Sequence, residues 1–253
     1  MEIWQILLLI LVGFVAGVIN VMAGGGSLLT MPLLIFMGLD SAMANGSNRI
    51  AILFQNATAI AGFKSKKHSA GSYGLILGLS ALLGAILGSK IALEIPDGLF
   101  NKILAAVMIL VVIMTVVNPA LKLKEGKDLV EKLDFKHKVL GVIALFFTGI
   151  YGGFIQAGTG LFIMAALSFI NRYNLLKANV AKALIMFIYT LSALMIFALD
   201  GKIHLLFGLS LAISMSAGAW WASRWSTGKG QKYIKWFMIV SVIFMAIALW
   251  FKS

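Results

Sequence analysis

The chain of 253 residues contains no cysteine and only three histidines. Without cysteine it can form no disulfide, no thiol nucleophile and no cysteine-ligated metal site. The histidines, His68, His137 and His204, lie far apart and show none of the short spacings of a metal-binding motif. No Ser/His/Asp set or carboxylate pair falls inside an apolar run. The sequence therefore predicts no enzyme activity, no metal site and no cofactor.

Charged residues are also scarce, at 12% of the chain, against 61% hydrophobic residues and a mean hydropathy of +1.00. A soluble domain could not cover its surface with so few charges. Many of the apolar runs reach the length of about 20 residues that a helix needs to cross a bilayer. Ten segments are predicted, at 3–22, 27–39, 46–63, 72–93, 99–118, 138–156, 160–171, 178–199, 203–222 and 232–251. The fold class is an all-α polytopic membrane protein.

Acidic residues are the rarest charged type, nine against 21 basic residues. All nine lie in loops or at segment ends: Glu2, Asp40, Glu94, Asp97, Glu125, Asp128, Glu131, Asp134 and Asp200. Intramembrane proton relays and many sodium sites use a carboxylate, whereas backbone carbonyls alone can also hold sodium. A membrane interior without negative charge favours an anionic ligand. The identity of a coupling ion, H⁺ or Na⁺, stays open.

The chain divides into two transmembrane repeats, 1–118 and 138–253, joined by a polar linker at 119–137. "AGGGSLLTMPLL" (23–34) aligns with "AGTGLFIMAALS" (157–168), and at the same offset "ANGSNR" (44–49) meets "ANVAKA" (178–183). Five segments per repeat is an odd number, so we expect two inverted-topology repeats. If the short segments are re-entrant in both halves, fewer segments cross but the inversion remains.

The net charge of +12 has a topological explanation. With the N-terminus outside, most Lys and Arg residues fall in cytoplasmic loops, as the positive-inside rule requires. We therefore expect both termini outside and no nucleic-acid partner. Lys182 is assigned to the cytoplasmic side and Arg49 to the outside in this scheme.

Glycine-rich interruptions precede the second segment of each half. Three consecutive glycines usually end a helix, and a break at membrane depth requires surrounding protein or a watery cavity. The segments that follow, 27–39 and 160–171, are too short to cross. Ser27 is placed as the N-cap of the first one, and helix N-termini attract anions. The motifs "GFVAG" (13–17) and "GIYGG" (149–153) are interpreted instead as helix-packing faces.

Polar residues cluster around these hinges and complete a candidate substrate site. The site consists of Asn20, Gly24, Gly25, Gly26, Ser27, Asn45, Asn48, Arg49, Gln55, Gln156, Gly158, Thr159, Gly160, Asn179 and Lys182. Asn45 and Asn179 lie near helix starts, so capping is an equal alternative to a binding role. Arg49 and Lys182 are expected either to supply positive charge to the site or to extend to opposite membrane interfaces.

The first motif, spanning 13–55, "GxxAGxINxxAGGGSLLTxPLLxxxGLxxxxANGSNRxAILxQ", resembles the first signature of the sulfite exporter TauE/SafE family. "GIYGGFIQAGTGLF" followed by "LLKANVAKAL" is similar to the family's second signature. The resemblance covers essentially the whole chain. It implies a multi-pass transporter of the prokaryotic inner membrane that moves sulfur-containing anions: sulfite, thiosulfate or organosulfonates such as sulfoacetate.

The expected partners are a small anionic substrate and membrane lipid. Transport by alternating access, with one repeat rocking against the other, is the leading mechanism. An anion channel of the same architecture is the alternative, and an enzyme finds no support. A tryptophan group, Trp220, Trp221, Trp225 and Trp236, forms either an interfacial belt or the contact surface of a homodimer.

Overall fold

A computed structural model describes residues 3–117, 130–225 and 231–252. Within these ranges the chain forms ten helices and no strand. They are α1 (Ile3–Ala23), α2 (Ser27–Phe36), α3 (Ser41–Ser65), α4 (Gly71–Glu94), α5 (Asp97–Val117), α6 (Phe135–Phe154), α7 (Thr159–Phe169), α8 (Leu175–Leu199), α9 (Leu205–Trp225) and α10 (Gln231–Lys252). Most of the predicted linker, 119–129, lies outside the described residues, and its last residues belong to α6.

The helices confirm the prediction of an all-α polytopic membrane protein. In the described part of the chain, six helices are long and apolar enough to span a bilayer: α1, α4, α5, α6, α8 and α9. The helices α2 and α7 have 10 and 11 residues, so each covers only about 15 Å. The helix α3 has 25 residues but carries many polar side chains, and these are buried. It therefore runs through the protein interior, where its polar groups avoid lipid.

Contacts between helix termini identify one end of the bundle, called here the first end. Ser41 opens α3 and donates its backbone N–H to Asp97, the first residue of α5, at 2.8 Å. Lys202, just after α8, pairs with Asp40 at 3.5 Å. The starts of α3, α5 and α9 and the end of α8 thus lie together. Gly13 of α1 meets Ser214 at a matching depth in α9, so α1 also begins at this end.

The opposite, second end contains the starts of α4, α6 and α8. Tyr73 in the first turn of α4 donates to the carbonyl oxygen of Lys138 in the first turn of α6, at 3.0 Å. Asn171, which follows α7, exchanges backbone and side-chain hydrogen bonds with Lys132. The pair α1–α2 therefore begins and ends at the first end, and α6–α7 begins and ends at the second. Both short helices form hairpins with the helix before them.

Two helix pairs pack with their backbones in contact. A Cβ on Gly84 or Gly88 of α4 would lie about 2 Å from the carbonyl oxygen of Phe146 or Ile150 in α6, too close for any side chain. In α1 and α9, Gly17 approaches the carbonyl of Met215 equally closely. The packing interpretation of "GFVAG" and "GIYGG" is confirmed. Such small-residue contacts are typical of tight helix association in membranes.

The helix partnerships correspond between the two halves. The packing of α1 on α9 matches that of α6 on α4, and α3 on α9 matches α8 on α4. The inverted relation of the halves stays a prediction, and these partnerships are the ones it requires. The group of α1, α3 and α9 and the group of α4, α6 and α8 therefore each contain helices from both halves of the chain.

Candidate functional site

The first hinge joins α1 to α2. Gly24 adopts a left-handed conformation with φ +79°, which glycine accepts without steric cost. The prediction that Ser27 is the N-cap of α2 was wrong, because Gly26 holds that position and Ser27 is the first helical residue. The Ser27 hydroxyl instead donates to the carbonyl of Gln156 and accepts from the N–H of Gly158, each at 3.3 Å. Because Ser27 does not cap α2, its side chain is free to bond to the other hinge.

The second hinge joins α6 to α7 and contains two left-handed residues in close succession. Gly158 has φ +74° and Gln156 has φ +64°. A long side chain in this conformation is uncommon and indicates a position that its surroundings hold in place. The Thr159 hydroxyl donates to the Gln156 carbonyl at 2.8 Å, and the Gln156 side chain donates to Thr190 at 3.4 Å.

The tips of the two hinges touch. A Cβ on Gly24 would lie 2.7 Å from the carbonyl carbon of Gly160, and a Cβ on Gly160 would lie 2.7 Å from Gly24. Together with the bonds of Ser27, these contacts join residues that are more than 120 positions apart in the chain. The two interruptions therefore meet in the protein interior, as one candidate site formed from both hinges requires.

Arg49 lies inside the protein with no exposed surface and binds the end of α6. It donates to the carbonyl of Gly152 at 3.2 Å, to the carbonyl of Gly153, and to the side chain of Asn45 at 3.1 Å. Asn45 in turn donates to the carbonyl of Phe154 at 2.7 Å. The last carbonyls of a helix carry partial negative charge and attract a cation. Arg49 and Asn45 thus cap α6 directly before the second hinge.

Lys182 makes the corresponding contact with α1. Its ammonium group donates to the carbonyls of Asn20 and Val21 at 2.8 and 3.1 Å, and to the side chain of Asn179 at 2.8 Å. Only 2% of Lys182 is exposed. It therefore caps the end of α1 directly before the first hinge.

The burial of Arg49 and Lys182 and the observed N-caps of α3 and α8 decide two alternatives that the sequence left open. Arg49 and Lys182 do not extend to the membrane interfaces, and their assignment to opposite loops in the charge scheme was wrong. Capping by Asn45 and Asn179 at their own helix starts was also wrong. The N-caps of α3 and α8 are Asp40 and Asn174, whose side chains accept from Met43 and Lys177.

The remaining amide side chains join the elements around the hinges. Asn20 donates to the side chain of Gln55 at 2.5 Å, and Asn48 accepts from Thr30 at 2.7 Å. Every candidate site residue is buried except Asn179, which is intermediate. The structure thus groups them at three neighbouring places: the end of α1, the end of α6, and the contact between the hinges.

Several polar groups in this region have no hydrogen-bond partner among the described residues. The donors are Asn48 Nδ2 and Arg49 Nε, and the acceptors are Asn20 Oδ1 and Gln156 Oε1. In the same part of the chain, the backbone N–H groups of Gly25, Gly26 and Ser27 donate to no acceptor. Unpaired polar groups are costly when buried, and they fit the requirements of a bound polar ligand or of water.

Electrostatically, the region is positive. Among the described residues no carboxylate pairs with Arg49 or Lys182, and the described acidic residues all lie at helix ends or in loops, as expected. Phe197 covers the guanidinium, 4.7 Å from its ring centroid. Two cations bonded only to helix carbonyls and neutral side chains leave an excess of positive charge that a small anion would neutralise.

Two of the three adjacent glycines have a packing reason. A Cβ on Gly26 would lie 2.0 Å from the carbonyl oxygen of Ala16, and one on Gly25 would lie 2.9 Å from the sulfur of Met238. Gly24 alone faces the other hinge and has a positive φ.

Sequence reasoning missed Thr30 and the pair Gly152 and Gly153. Thr30 lies one turn into α2 and carries the only side chain bonded to Asn48 in the described structure. Gly152 and Gly153 contribute their carbonyls, which any residue possesses, so no residue type marks this role. Gly153 also accepts from Ser89 of α4 at 3.2 Å.

Comparisons with known proteins agree with the residue pattern. The sequence model of the family described as "Sulfite exporter TauE/SafE" matches residues 9–249. The chain is 26% identical over 241 residues to "Probable membrane transporter protein ORF9" of a Sinorhizobium species, covering 95% of this chain and 90% of that protein. It is 29% identical over 242 residues to a "Probable membrane transporter protein" of Haemophilus influenzae, covering 95% and 92%. It is 26% identical over 245 residues to "Probable membrane transporter protein YfcA" of Escherichia coli, covering 97% and 89%. No solved structure matches the chain.

Proposed function

Because the chain belongs to the sulfite exporter TauE/SafE family and is a membrane transporter, we propose that it carries small sulfur-containing oxyanions or organosulfonates. The observation that carries this proposal is the pair of buried cations, Arg49 and Lys182, without an acidic partner in the described structure. Burying an uncompensated charge is expensive, and an anionic substrate supplies the missing compensation.

The hinge geometry supports a site for an oxyanion in particular. The free N–H groups of Gly25, Gly26 and Ser27 lie at the positive end of α2, where anions bind readily. The free donors on Asn48 and Arg49 add to them, while the free acceptors on Asn20 and Gln156 suit a hydrated or singly protonated anion. Sulfite, which exists partly as bisulfite near neutral pH, and thiosulfate match this mixture.

A carrier fits the contacts better than a channel does. The two hinges touch at Gly24 and Gly160, and the candidate site residues around them are buried. A substrate held there needs one end of the bundle to open before the other. Because the tightly packed groups draw helices from both halves, we propose that α4 and α6 move together against α1 and α9, instead of one repeat rocking against the other. The site around the hinge contact would then open in turn to each end of the bundle.

We propose that the membrane is the inner membrane of a prokaryotic cell, with both termini outside. The first end, which bears Lys90, Lys102 and Lys202, would face outward. The second end, where Lys66, Lys67, Lys136 and Lys138 lie, would face the cytoplasm, in agreement with the positive-inside rule.

Transport in proteoliposomes tests the proposal. Vesicles preloaded with unlabelled sulfite, thiosulfate or sulfoacetate should accumulate the same labelled anion by counterflow, whereas chloride should not be exchanged. A channel would give flux without counterflow. Absence of exchange for every sulfur anion, with correctly inserted protein, would reject the substrate class.

A further inference from the structure

We propose that the outer groove between α4 and α6 binds an anionic phospholipid, with an acyl chain in the groove and the phosphate at the second end. The groove is an open depression on the outer surface, with a volume of about 540 Å³. Its lining includes Ile76, Leu79, Ser80 and Leu83 of α4 and Phe146 and Phe147 of α6.

The lining is apolar because its one hydroxyl is used internally. Ser80 donates to the carbonyl of Val142 at 2.7 Å, so no free polar group of these side chains opposes a hydrocarbon chain. Leu79, Leu83 and Phe147 are each more than half exposed, at 57%, 58% and 62%. The groove thus presents a hydrocarbon surface on the outside of the bundle.

The groove exists because the two helices are close while their side chains diverge. Gly84 places the α4 backbone against the carbonyl of Phe146, so the larger residues on either side stand apart as the two walls. The corresponding pair α1 and α9 has a ring contact at its surface, Phe14 against Trp221, with centroids 6.5 Å apart. At the surface of the α4–α6 pair the structure shows the groove described above.

The depth of the groove agrees with the acyl region of one leaflet. Ile76 and Leu83 are five and twelve residues beyond the start of α4 at Gly71, so the groove lies about 8 to 18 Å from the second end. The hydrocarbon of one leaflet is about 15 Å thick. A phosphate at the start of α4 or α6 would therefore place its chain along the groove.

The charge at that end selects an anionic head group. The exposed Lys136 and Lys138 lie in the first turn of α6, and Lys66 and Lys67 precede α4. The hydrogen bond from Tyr73 to the Lys138 carbonyl fixes the two helix starts side by side. Two carboxylates lie near this helix start in the described structure and each already has a partner: Asp134, the N-cap of α6, is bonded to His137, and Glu131 pairs with Lys177. The net positive charge favours phosphatidylglycerol over a zwitterionic lipid.

Native mass spectrometry of the detergent-purified protein, titrated with phosphatidylglycerol or phosphatidylcholine, tests this site. The double variant Lys136→Gln/Lys138→Gln should lower phosphatidylglycerol affinity by about tenfold or more and leave phosphatidylcholine binding unchanged. The matched control, Lys90→Gln/Lys102→Gln, removes two exposed lysines near the other end and should bind like the wild type.

A second variant tests the groove itself. Leu79→Trp places a bulky ring in the groove and should reduce retention of phosphatidylglycerol, whereas Ile213→Trp, at a position on α9 that is 74% exposed, should not. Equal wild-type affinity for both lipids would overturn the proposal. So would equal loss in the lysine variant and its control, or unchanged binding in Leu79→Trp.

Discussion

Arg49 and Lys182 each bind the terminal carbonyls of the helix that precedes the hinge in the other half of the chain. Arg49 of α3 binds Gly152 and Gly153 in α6, and Lys182 of α8 binds Asn20 and Val21 in α1. The charge that stabilises each interrupted helix therefore also couples the two halves. A substrate anion near either cation would compete with the carbonyls for it, which links binding to the stability of the hinge.

Removing either charge should strongly reduce anion exchange and destabilise the protein. In Arg49→Gln the shorter side chain leaves the buried carbonyl of Gly152 without its donor, at a cost of about 1–3 kcal/mol, whereas the Gly153 carbonyl keeps its bond from Ser89. We expect exchange to fall at least tenfold and the unfolding temperature in detergent to drop. Lys182→Gln should behave similarly, and Lys182→Arg should retain part of both properties.

The control for these variants is Lys202→Gln. Lys202 is a partly exposed lysine whose long ion pair with Asp40, at 3.5 Å, is worth little. Its exchange rate and unfolding temperature should stay close to the wild-type values. Normal exchange by a folded Arg49→Gln protein would contradict the role of that charge.

The contact between the hinges should make Gly24 intolerant of a side chain. Gly24→Ala combines a positive φ with a Cβ 2.7 Å from the backbone of Gly160. Gly201→Ala has nearly the same φ, +67°, but nothing within 4 Å of the new Cβ. Thermal unfolding should show a modest loss for Gly201→Ala, about 1 kcal/mol, and a clearly larger loss for Gly24→Ala. Similar losses would show that the hinge can separate without cost.

Ser27 should stabilise the closed contact of the hinges without being required for folding. Its two bonds to the second hinge are long, 3.3 Å each, so Ser27→Ala should lower the free energy of unfolding by only about 1 kcal/mol. If the hinges must separate during transport, the exchange rate should change by several fold while thermal stability barely moves. Ser27→Thr, which keeps the hydroxyl, is the matched control. Exchange kinetics identical to the wild type in Ser27→Ala would argue against separation of the hinges.

The absence of cysteine allows the orientation to be measured without background labelling. A membrane-impermeant maleimide applied to intact cells should label Lys202→Cys at the first end and should not label Lys67→Cys at the second end. Permeabilised cells should show labelling of both positions. The reverse pattern would invert the proposed topology.

Cross-linking the first end should stop a carrier. Cysteines at Asp40 and Lys202, whose present side chains meet at 3.5 Å, can be joined by a short bifunctional thiol reagent. Exchange should be lost on cross-linking, and each single cysteine variant treated with the same reagent should remain active. Unimpaired flux through the cross-linked protein would favour the channel.

Much of the architecture follows from the sequence because lipid imposes simple rules. Apolar runs located all ten helices, and the glycines at 24–26 located the first hinge because no helix tolerates three of them in its interior. The sequence left open whether Arg49 and Lys182 are buried in the site or extend to the membrane interfaces. Both lie about two turns from a helix start, and a position so near the end of a segment is equally compatible with the membrane interface.

The hydrogen-bond partners of the site residues could not be predicted from the sequence, for a different reason. Ser27 bonds to the backbone of Gln156 and Gly158, and Arg49 to the backbone of Gly152 and Gly153. Backbone groups are the same in every residue, so the sequence contains no record of which ones a side chain selects. Only the close approach of distant helices determines that choice.

The exchange of helices between the halves has a consequence for biogenesis. The glycine face of α1 packs against α9, which begins at Leu205. The first helix to enter the bilayer therefore has no packing partner for this face until nearly the whole polypeptide has been synthesised. The first half therefore cannot finish folding during its own insertion. A chain truncated at the linker would lack α9 and α6, the packing partners of α1 and α4. Quality-control proteases of the membrane should therefore recognise such a fragment, and co-expression of the missing half should rescue it.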